Sequence, residues 1–197
     1  MEQPPQDSDA ILDESLRLSR AGEDEANERL MRAAAEANPE DAQLAMRMAE
    51  ALTYRAANDA DAQSESYAWA LRARTVSPED PHILFRAAAH VFFLGDVEDS
   101  RELLRETFAH CDEDFIFAAD AVHLVGRQLL WRGEKTRGEE ALVAAFDEAP
   151  ETTGHGRVLA EFYEGEGRLQ EAARVAQQTL EHFPGDEVLQ RLAAIDA

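Results

Sequence analysis

Apolar residues recur at intervals of three and four along most of the chain, which is the spacing of one face of a helix. Val122, Val125 and Leu129 show this spacing before Gly133, and Leu142 continues it afterwards. The segments one unit earlier and one unit later keep the same spacing. The pattern predicts helices, not strands, over most of the sequence.

Two kinds of break divide these helices. The first is a tetrapeptide, usually with a proline followed by acidic or hydroxyl residues, which ends one helix and caps the next. The tetrapeptides start at Asn38, Ser77, Cys111, Ala149 and Phe183, so that successive starts are 39, 34, 38 and 34 residues apart. The second break is a glycine turn, which lies 17 residues before the proline position in three units. Each unit is therefore predicted to contain two helices.

Small residues occupy matching positions in consecutive units. At such positions two antiparallel helices can approach closely while large residues fill the remaining space. We predict that these residues are buried packing contacts; they are Ala88, Ser100, Thr107, Gly126, Gly138, Ala145, Ala160, Ala172 and Thr179.

Units of this length with these aliphatic, glycine, alanine and proline positions resemble the tetratricopeptide repeat (TPR). The resemblance implies an all-α fold, a right-handed α-solenoid or superhelix of antiparallel helix pairs. We expect one array over residues 8–197 after a disordered tail, residues 1–7. Its five repeats are predicted at 8–40, 41–80, 81–114, 119–152 and 153–186, with an insertion at 115–118, a longer inner turn near 57–62 and a capping helix at 187–197.

Acidic residues dominate the charge, because 41 Asp and Glu against 19 Lys and Arg give a net charge of −22. This excess disfavours nucleic acids and anionic membranes as partners, since binding phosphates requires a basic surface. The single cysteine, Cys111, cannot form an internal disulfide, and no apolar run is long enough to span a membrane. We therefore predict a cytoplasmic protein. The same acidity is also typical of salt-adapted organisms.

Motifs for catalysis, metals or cofactors are weak. The glycine clusters at 154–156 and 165–167 do not follow a strand and lie at expected repeat boundaries, so neither predicts a nucleotide site. His110 and Cys111 have no second cluster of ligands, and Glu161 and Glu164 are typical of solvated helix acids. We predict no catalytic residue, no metal site and no cofactor.

The resemblance implies that the first helix of each repeat lines a concave groove in which partner segments dock. The residues predicted at inward positions are Met46, Glu50, His82, Phe85, Phe92, His123, Arg127, Leu130, Arg157 and Glu161. Aromatic and arginine side chains are common anchors of interfaces, although each aromatic here has core packing as its alternative. The lysine-rich clamp with which some TPR proteins hold chaperone tails is absent, because Lys135 is the only lysine.

We therefore predict a non-catalytic protein–protein interaction scaffold or adaptor that binds a neutral-to-basic segment or helix of another protein. Two alternatives remain open. The first is a self-associating structural subunit, a homo-oligomer. The second is a small-ligand binder or enzyme accessory with a pocket lined by His82 and His123.

Overall fold

The computed structural model describes residues 8–112 and 115–195, and the regular elements in these ranges are all helices. The predicted tail, residues 1–7, and the last two residues of the predicted capping helix lie outside the described residues. No helix in the described ranges is both long and apolar enough to cross a membrane. The helices are α1 (Ser8–Arg20), α2 (Asp24–Ala37), α3 (Ala42–Ala51), α4 (Thr53–Ala56), α5 (Ala60–Val76), α6 (Pro81–Phe93), α7 (Val97–His110), α8 (Ala118–Trp131), α9 (Lys135–Glu148), α10 (Thr153–Gly165), α11 (Leu169–Leu180) and α12 (Glu187–Ala193).

The chain divides into two compact units, Met1–Asp114 and Phe115–Ala197, which we call unit 1 and unit 2. Unit 1 contains α1 to α7, and unit 2 contains α8 to α12. The boundary falls just before the predicted insertion at 115–118, beside the tetrapeptide that lacks proline. A single array over both units stays a prediction.

Short turns join the two helices in four of the five predicted repeats. Gly22, Gly95, Gly133 and Gly167 have φ values of 70°, 92°, 81° and 73° in these turns, a left-handed conformation that favours glycine. The second predicted repeat has no such glycine. Its longer inner turn instead contains the four-residue helix α4, so the extra residues begin earlier than predicted.

Aspartates at the predicted breaks cap the helices that follow them. The Asp41 carboxylate accepts a hydrogen bond from the Leu44 amide at 3.0 Å, and Asp186 accepts one from the Leu189 amide at 3.0 Å. Asp80 accepts one from the His82 amide at 2.9 Å, directly before α6. These bonds satisfy amide groups that a helix N-terminus leaves without a partner.

The small residues lie in the interior of both units, since all nine predicted packing positions are buried. In unit 2, a Cβ atom added to either Gly126 or Gly138 would lie 3.1 Å from the carbonyl oxygen of the other, so the two backbones nearly touch. In unit 1, the Ser100 hydroxyl donates to the Ala88 carbonyl at 2.6 Å. Both contacts require side chains of minimal size where the paired helices cross.

Unit 1 also contains an ion-pair network that the repeat pattern does not predict. Glu28 on α2 is 9% exposed, and its carboxylate accepts hydrogen bonds from the Tyr54 hydroxyl at 2.8 Å, Arg55 at 2.9 Å and Arg32 at 3.0 Å. Arg32 also pairs with Glu65 on α5. Burial raises the pKa of Glu28, but the three hydrogen bonds outweigh it and hold the pKa below its ordinary value. The network ties α2 to α4 and α5.

The variant Glu28→Gln is expected to lower the free energy of unfolding of unit 1 by about 1 kcal/mol, because it removes charge-assisted hydrogen bonds between partly exposed groups. Urea denaturation followed by Trp69 fluorescence in a Trp131→Phe background would measure it, since the chain has two tryptophans and only Trp69 lies in unit 1. This stabilisation is present above the pKa of an unfolded glutamate and is lost as the pH falls through the lower pKa of folded Glu28. The exposed Glu25→Gln is the control, and an equal loss in both variants would contradict the assignment.

Candidate interaction surface

In unit 1, the predicted inward residues lie on α3 and α6 but differ in exposure. His82, Phe85 and Phe92 on α6 are half-buried. Met46 on α3 is 0% exposed, so the prediction that it lines a groove is wrong. The reason is that α1, α2, α5 and α6 all contact α3, which leaves little of this helix accessible.

Glu50 on α3 is half-buried and already paired within unit 1. Its Oε1 atom accepts from Arg86 Nη2 at 2.9 Å, and its Oε2 atom accepts from Arg47 Nη1 at 3.0 Å. Arg86 also donates to the Gln43 side chain, which joins α6 to α3. The charge of Glu50 is therefore largely compensated before a partner binds.

An aromatic edge lies at the C-terminal end of α6. The rings of Phe92 and Phe93 meet edge to face, with 6.4 Å between their centroids. The Phe93 side chain is the more accessible, with 69% of the residue exposed. We call His82, Phe85, Phe92 and Phe93 the unit-1 face. It offers an apolar surface beside the Arg86–Glu50 pair.

In unit 2, the predicted inward residues lie on α8 and α10. Leu130 is half-buried and packs against the core of unit 2, where it faces Gly138. Arg157 Nε donates to Glu161 Oε1 at 3.2 Å, and Arg157 Nη1 lies 3.7 Å from Asp186 Oδ2. His123 on α8 is only 8% exposed, so the prediction that it lines a groove is wrong. We call Arg127, Leu130, Arg157 and Glu161 the unit-2 face. It combines paired charges with a partly buried apolar side chain.

A pair of buried histidines lies behind this face. The rings of His123 on α8 and His155 on α10 are stacked, with 4.7 Å between their centroids and 30° between their planes. His155 Nε2 lies 3.1 Å from Asp120 Oδ1, and because a carboxylate only accepts, His155 donates. His123 and His155 are 8% and 1% exposed. Within the described residues, the Nδ1 atom of each ring is buried without a hydrogen-bond partner.

Burial keeps His123 neutral. Burial, the nearby His155 and Arg127 together lower the pKa of His123 to about 4, while Asp120 opposes the shift. Burial also lowers the pKa of Arg127, although Glu161 opposes that shift. The interior of unit 2 at this point therefore disfavours additional positive charge.

The sequence did not predict a role for His155. It lies in the glycine cluster at 154–156, and the absence of a nucleotide motif there gave no reason to place its side chain. The available signal was its position: His155 lies two residues before Arg157 on the same helix, which turns it away from the exposed side. Its partner, Asp120, is 35 residues distant in the sequence.

Metal sites, cavities and small-ligand sites have less support than the two faces. No group of three or more His, Cys, Asp or Glu side chains among the described residues could hold a metal ion. A surface cavity of about 490 Å³ in unit 1 is lined by Arg74, Thr75, Pro78, Glu79, Glu106 and His110, none of which belongs to the unit-1 face. His82 and His123, which the small-ligand alternative places in one pocket, belong to different units.

No protein-family model matches the sequence, and no curated protein matches it either. Solved structures do match. A thermophilic TPR protein of Thermus thermophilus is 20% identical, with 93% of this chain and 96% of that chain covered and a TM-score of 0.75. PilF of Pseudomonas aeruginosa is 14% identical, with 94% and 82% covered and a TM-score of 0.72. YrrB, described as a TPR protein with an unusual peptide-binding site, is 12% identical, with 96% and 93% covered and a TM-score of 0.57.

These likenesses extend over nearly the whole chain and over most of each matched chain. They agree with the helix pairs, the glycine turns and the small residues at the helix crossings described above. The predicted all-α fold class is confirmed. The chain has the fold of tetratricopeptide repeat proteins.

Proposed function

We propose that the protein is a non-catalytic interaction scaffold in which the unit-1 face and the unit-2 face each bind a segment or helix of another protein. The observation that carries the proposal is the aromatic edge of α6, where Phe85 and Phe92 are half-buried and Phe93 is mostly exposed. Aromatic side chains of this kind bury a large area on binding and lose little conformational freedom. The peptide-binding site named for YrrB supports the same use of this fold.

The charge of the molecule favours a neutral-to-basic partner. Unit 1 carries 26 acidic and 11 basic residues, and unit 2 carries 15 acidic and 8 basic residues. Both units therefore attract a cationic segment over distances of about 10 Å at moderate salt, and added salt weakens the attraction. The apolar side chains of the partner would contact the phenylalanines, and its basic flanks would lie near the surrounding acids.

The proposal is tested with basic, neutral and acidic peptides of equal length and equal apolar content. Fluorescence anisotropy at low and high salt is expected to show the tightest binding for the basic peptides and a loss of affinity as salt rises. Tightest binding of the acidic peptides would contradict the predicted choice of partner.

The contribution of the aromatic edge is tested with the variant Phe93→Ser. It is expected to weaken binding of the basic peptide about tenfold, which corresponds to the loss of an aromatic anchor that contributes about 1.4 kcal/mol. Phe108→Ser is the matched control, since Phe108 is also exposed but lies on α7. If both variants weakened binding equally, the unit-1 face would not be the binding surface.

Self-association stays a prediction. Static light scattering over a range of protein concentrations would detect a homo-oligomer, and it would also show whether the peptide experiments report on a single species.

A further inference from the structure

Two buried ring nitrogens distinguish unit 2. Among the described residues, the buried side-chain nitrogens and oxygens without a hydrogen-bond partner are Nδ1 of His123 and Nδ1 of His155. The two rings lie against each other, one on α8 and the other on α10. Buried polar groups are nearly always paired, so this arrangement calls for a physical account.

We propose that the stacked imidazoles of His123 and His155 form an acid-responsive contact that holds α8 against α10 at neutral pH and releases it in mild acid. With both rings neutral, the stacked contact contains no charge. A proton on His123 would bring a positive charge into the same buried space, against a second imidazole.

The hydrogen bond to Asp120 fixes the tautomer of His155. Since Nε2 carries the hydrogen that Asp120 accepts, Nδ1 of neutral His155 is a bare lone pair. Within the described residues this nitrogen has no hydrogen-bond partner, and its ring is stacked on that of His123.

The charged groups around the pair oppose protonation of His123. Arg127 on α8 and His155 on α10 both disfavour a cation at His123, and Asp120 on α8 is the group that favours one. Glu161 on α10 acts on Arg127. On α9, which packs along α8, the side chain nearest to Gly126 is the apolar Leu142.

Arg157, Glu161 and Glu164 on α10 all have charged partners of their own. Arg157 contacts Glu161 on the same helix and Asp186, the residue that caps α12. Glu164 on α10 binds Arg191 on α12 through two hydrogen bonds. These carboxylates therefore do not offer a nearby counter-charge for a protonated His123.

His90 in unit 1 shows what a tolerated buried histidine looks like. Ser66 Oγ donates to the Ala49 carbonyl at 2.8 Å, so its contact of 2.6 Å with His90 Nε2 is one in which His90 donates. Burial lowers the pKa of His90, while Glu50 favours its protonated form. His90 keeps this hydrogen bond in either protonation state, and no second imidazole is stacked on it among the described contacts.

The direction of the pH effect follows from linkage. The closed contact binds a proton at His123 only near pH 4, whereas an exposed histidine binds one near pH 6.5. Opening is therefore least favourable above pH 6.5 and becomes steadily more favourable as the pH falls from 6.5 towards 4. Between pH 7.5 and pH 5.5 the opening constant is expected to rise about tenfold.

The test is amide hydrogen exchange of the full chain, read by mass spectrometry for peptides from α8 and α10 and corrected for the intrinsic pH dependence of exchange. The expected result is an opening constant about tenfold larger at pH 5.5 than at pH 7.5. The variant His123→Phe keeps a stacked ring without a titrating nitrogen, and its rise is expected to fall below about threefold. His182→Gln, an exposed histidine of unit 2, is the control and should keep the full rise. A flat response in the parent chain, or a full rise in His123→Phe, would overturn the proposal.

A second measurement does not depend on how the variant folds. In the parent chain, the nuclear magnetic resonance titration of the His123 ring is expected to have its midpoint near pH 4. A midpoint near that of an exposed histidine would overturn the proposal.

The consequence for binding rests on the proposed function: opening moves Arg127 and Glu161, so a partner of the unit-2 face would be released in acid. Hydrogen exchange needs no partner, so its outcome separates this proposal from the proposed function.

Discussion

Replacing Gly156 with alanine is expected to lower the free energy of unfolding of unit 2 by about 3 kcal/mol. A Cβ atom at this position would lie 2.9 Å from both Cβ and Cγ2 of Thr179 and closer still to its Oγ1 atom. Thr179 cannot move aside easily, because it is fully buried and its hydroxyl donates to the Val175 carbonyl at 2.9 Å. The substitution therefore forces α10 and α11 apart where they cross.

Gly154 provides the matched control, since it lies on the same helix two residues earlier and an added Cβ there would meet nothing within 4 Å. Gly154→Ala is expected to be neutral or to stabilise by up to about 1 kcal/mol, because alanine restricts the unfolded chain. Urea denaturation followed by Trp131 fluorescence in a Trp69→Phe background would measure unit 2 alone.

The contact itself is tested by a double-mutant cycle with Thr179→Ala, which removes the two atoms beyond Cβ. A coupling of about 1 kcal/mol or more would show that Gly156 and Thr179 act through direct contact. Equal effects of Gly154→Ala and Gly156→Ala would mean that helix propensity, not packing against Thr179, sets the cost.

The parts of the fold that could be predicted from the sequence depend on residues that act on their neighbours in the chain. A turn glycine such as Gly133 and a capping aspartate such as Asp186 act on residues next to them, so their spacing gave the helix pairs and the start of the last helix. Gly126 and Gly138 could be recognised because their positions recur in neighbouring units as other small residues. The end of the capping helix was less well predicted, since Ala194 already lies in a turn.

The parts that were missed depend on residues far apart in the chain. The contacts that tie α2 to α4 and α5 through Glu28 and Arg32 join side chains 26 to 33 positions apart, and the His155 contact with Asp120 spans 35. Periodicity indicates which side of a helix faces its neighbours. It does not show which charged side chain of a neighbouring helix lies opposite that side. Met46 shows the same limit, because the helical spacing alone did not show that the neighbouring helices bury the side on which it lies.

The capping helix α12 is expected to be essential for unit 2 despite its seven residues. Leu189 and Leu192 are both 0% exposed and belong to the same core cluster as Tyr163, Val175 and Ala176. Truncating a buried leucine to alanine typically costs about 2 to 5 kcal/mol. The double variant Leu189→Ala/Leu192→Ala is therefore expected to lose about 5 kcal/mol, which is comparable to the whole stability of a small domain.

Hydrogen exchange would show this loss as fast exchange throughout α8 to α11, while α1 to α7 of unit 1 keep their protection. Gln190→Ala on the exposed side of α12 is the control. It removes one hydrogen bond to the Pro184 carbonyl and should cost about 1 kcal/mol or less. If α8 to α11 stayed protected in the double variant, the two helix pairs of unit 2 would be stable without a cap. The apolar side of α11 would then not need α12 to shield it from water, contrary to what repeat arrays require at their ends.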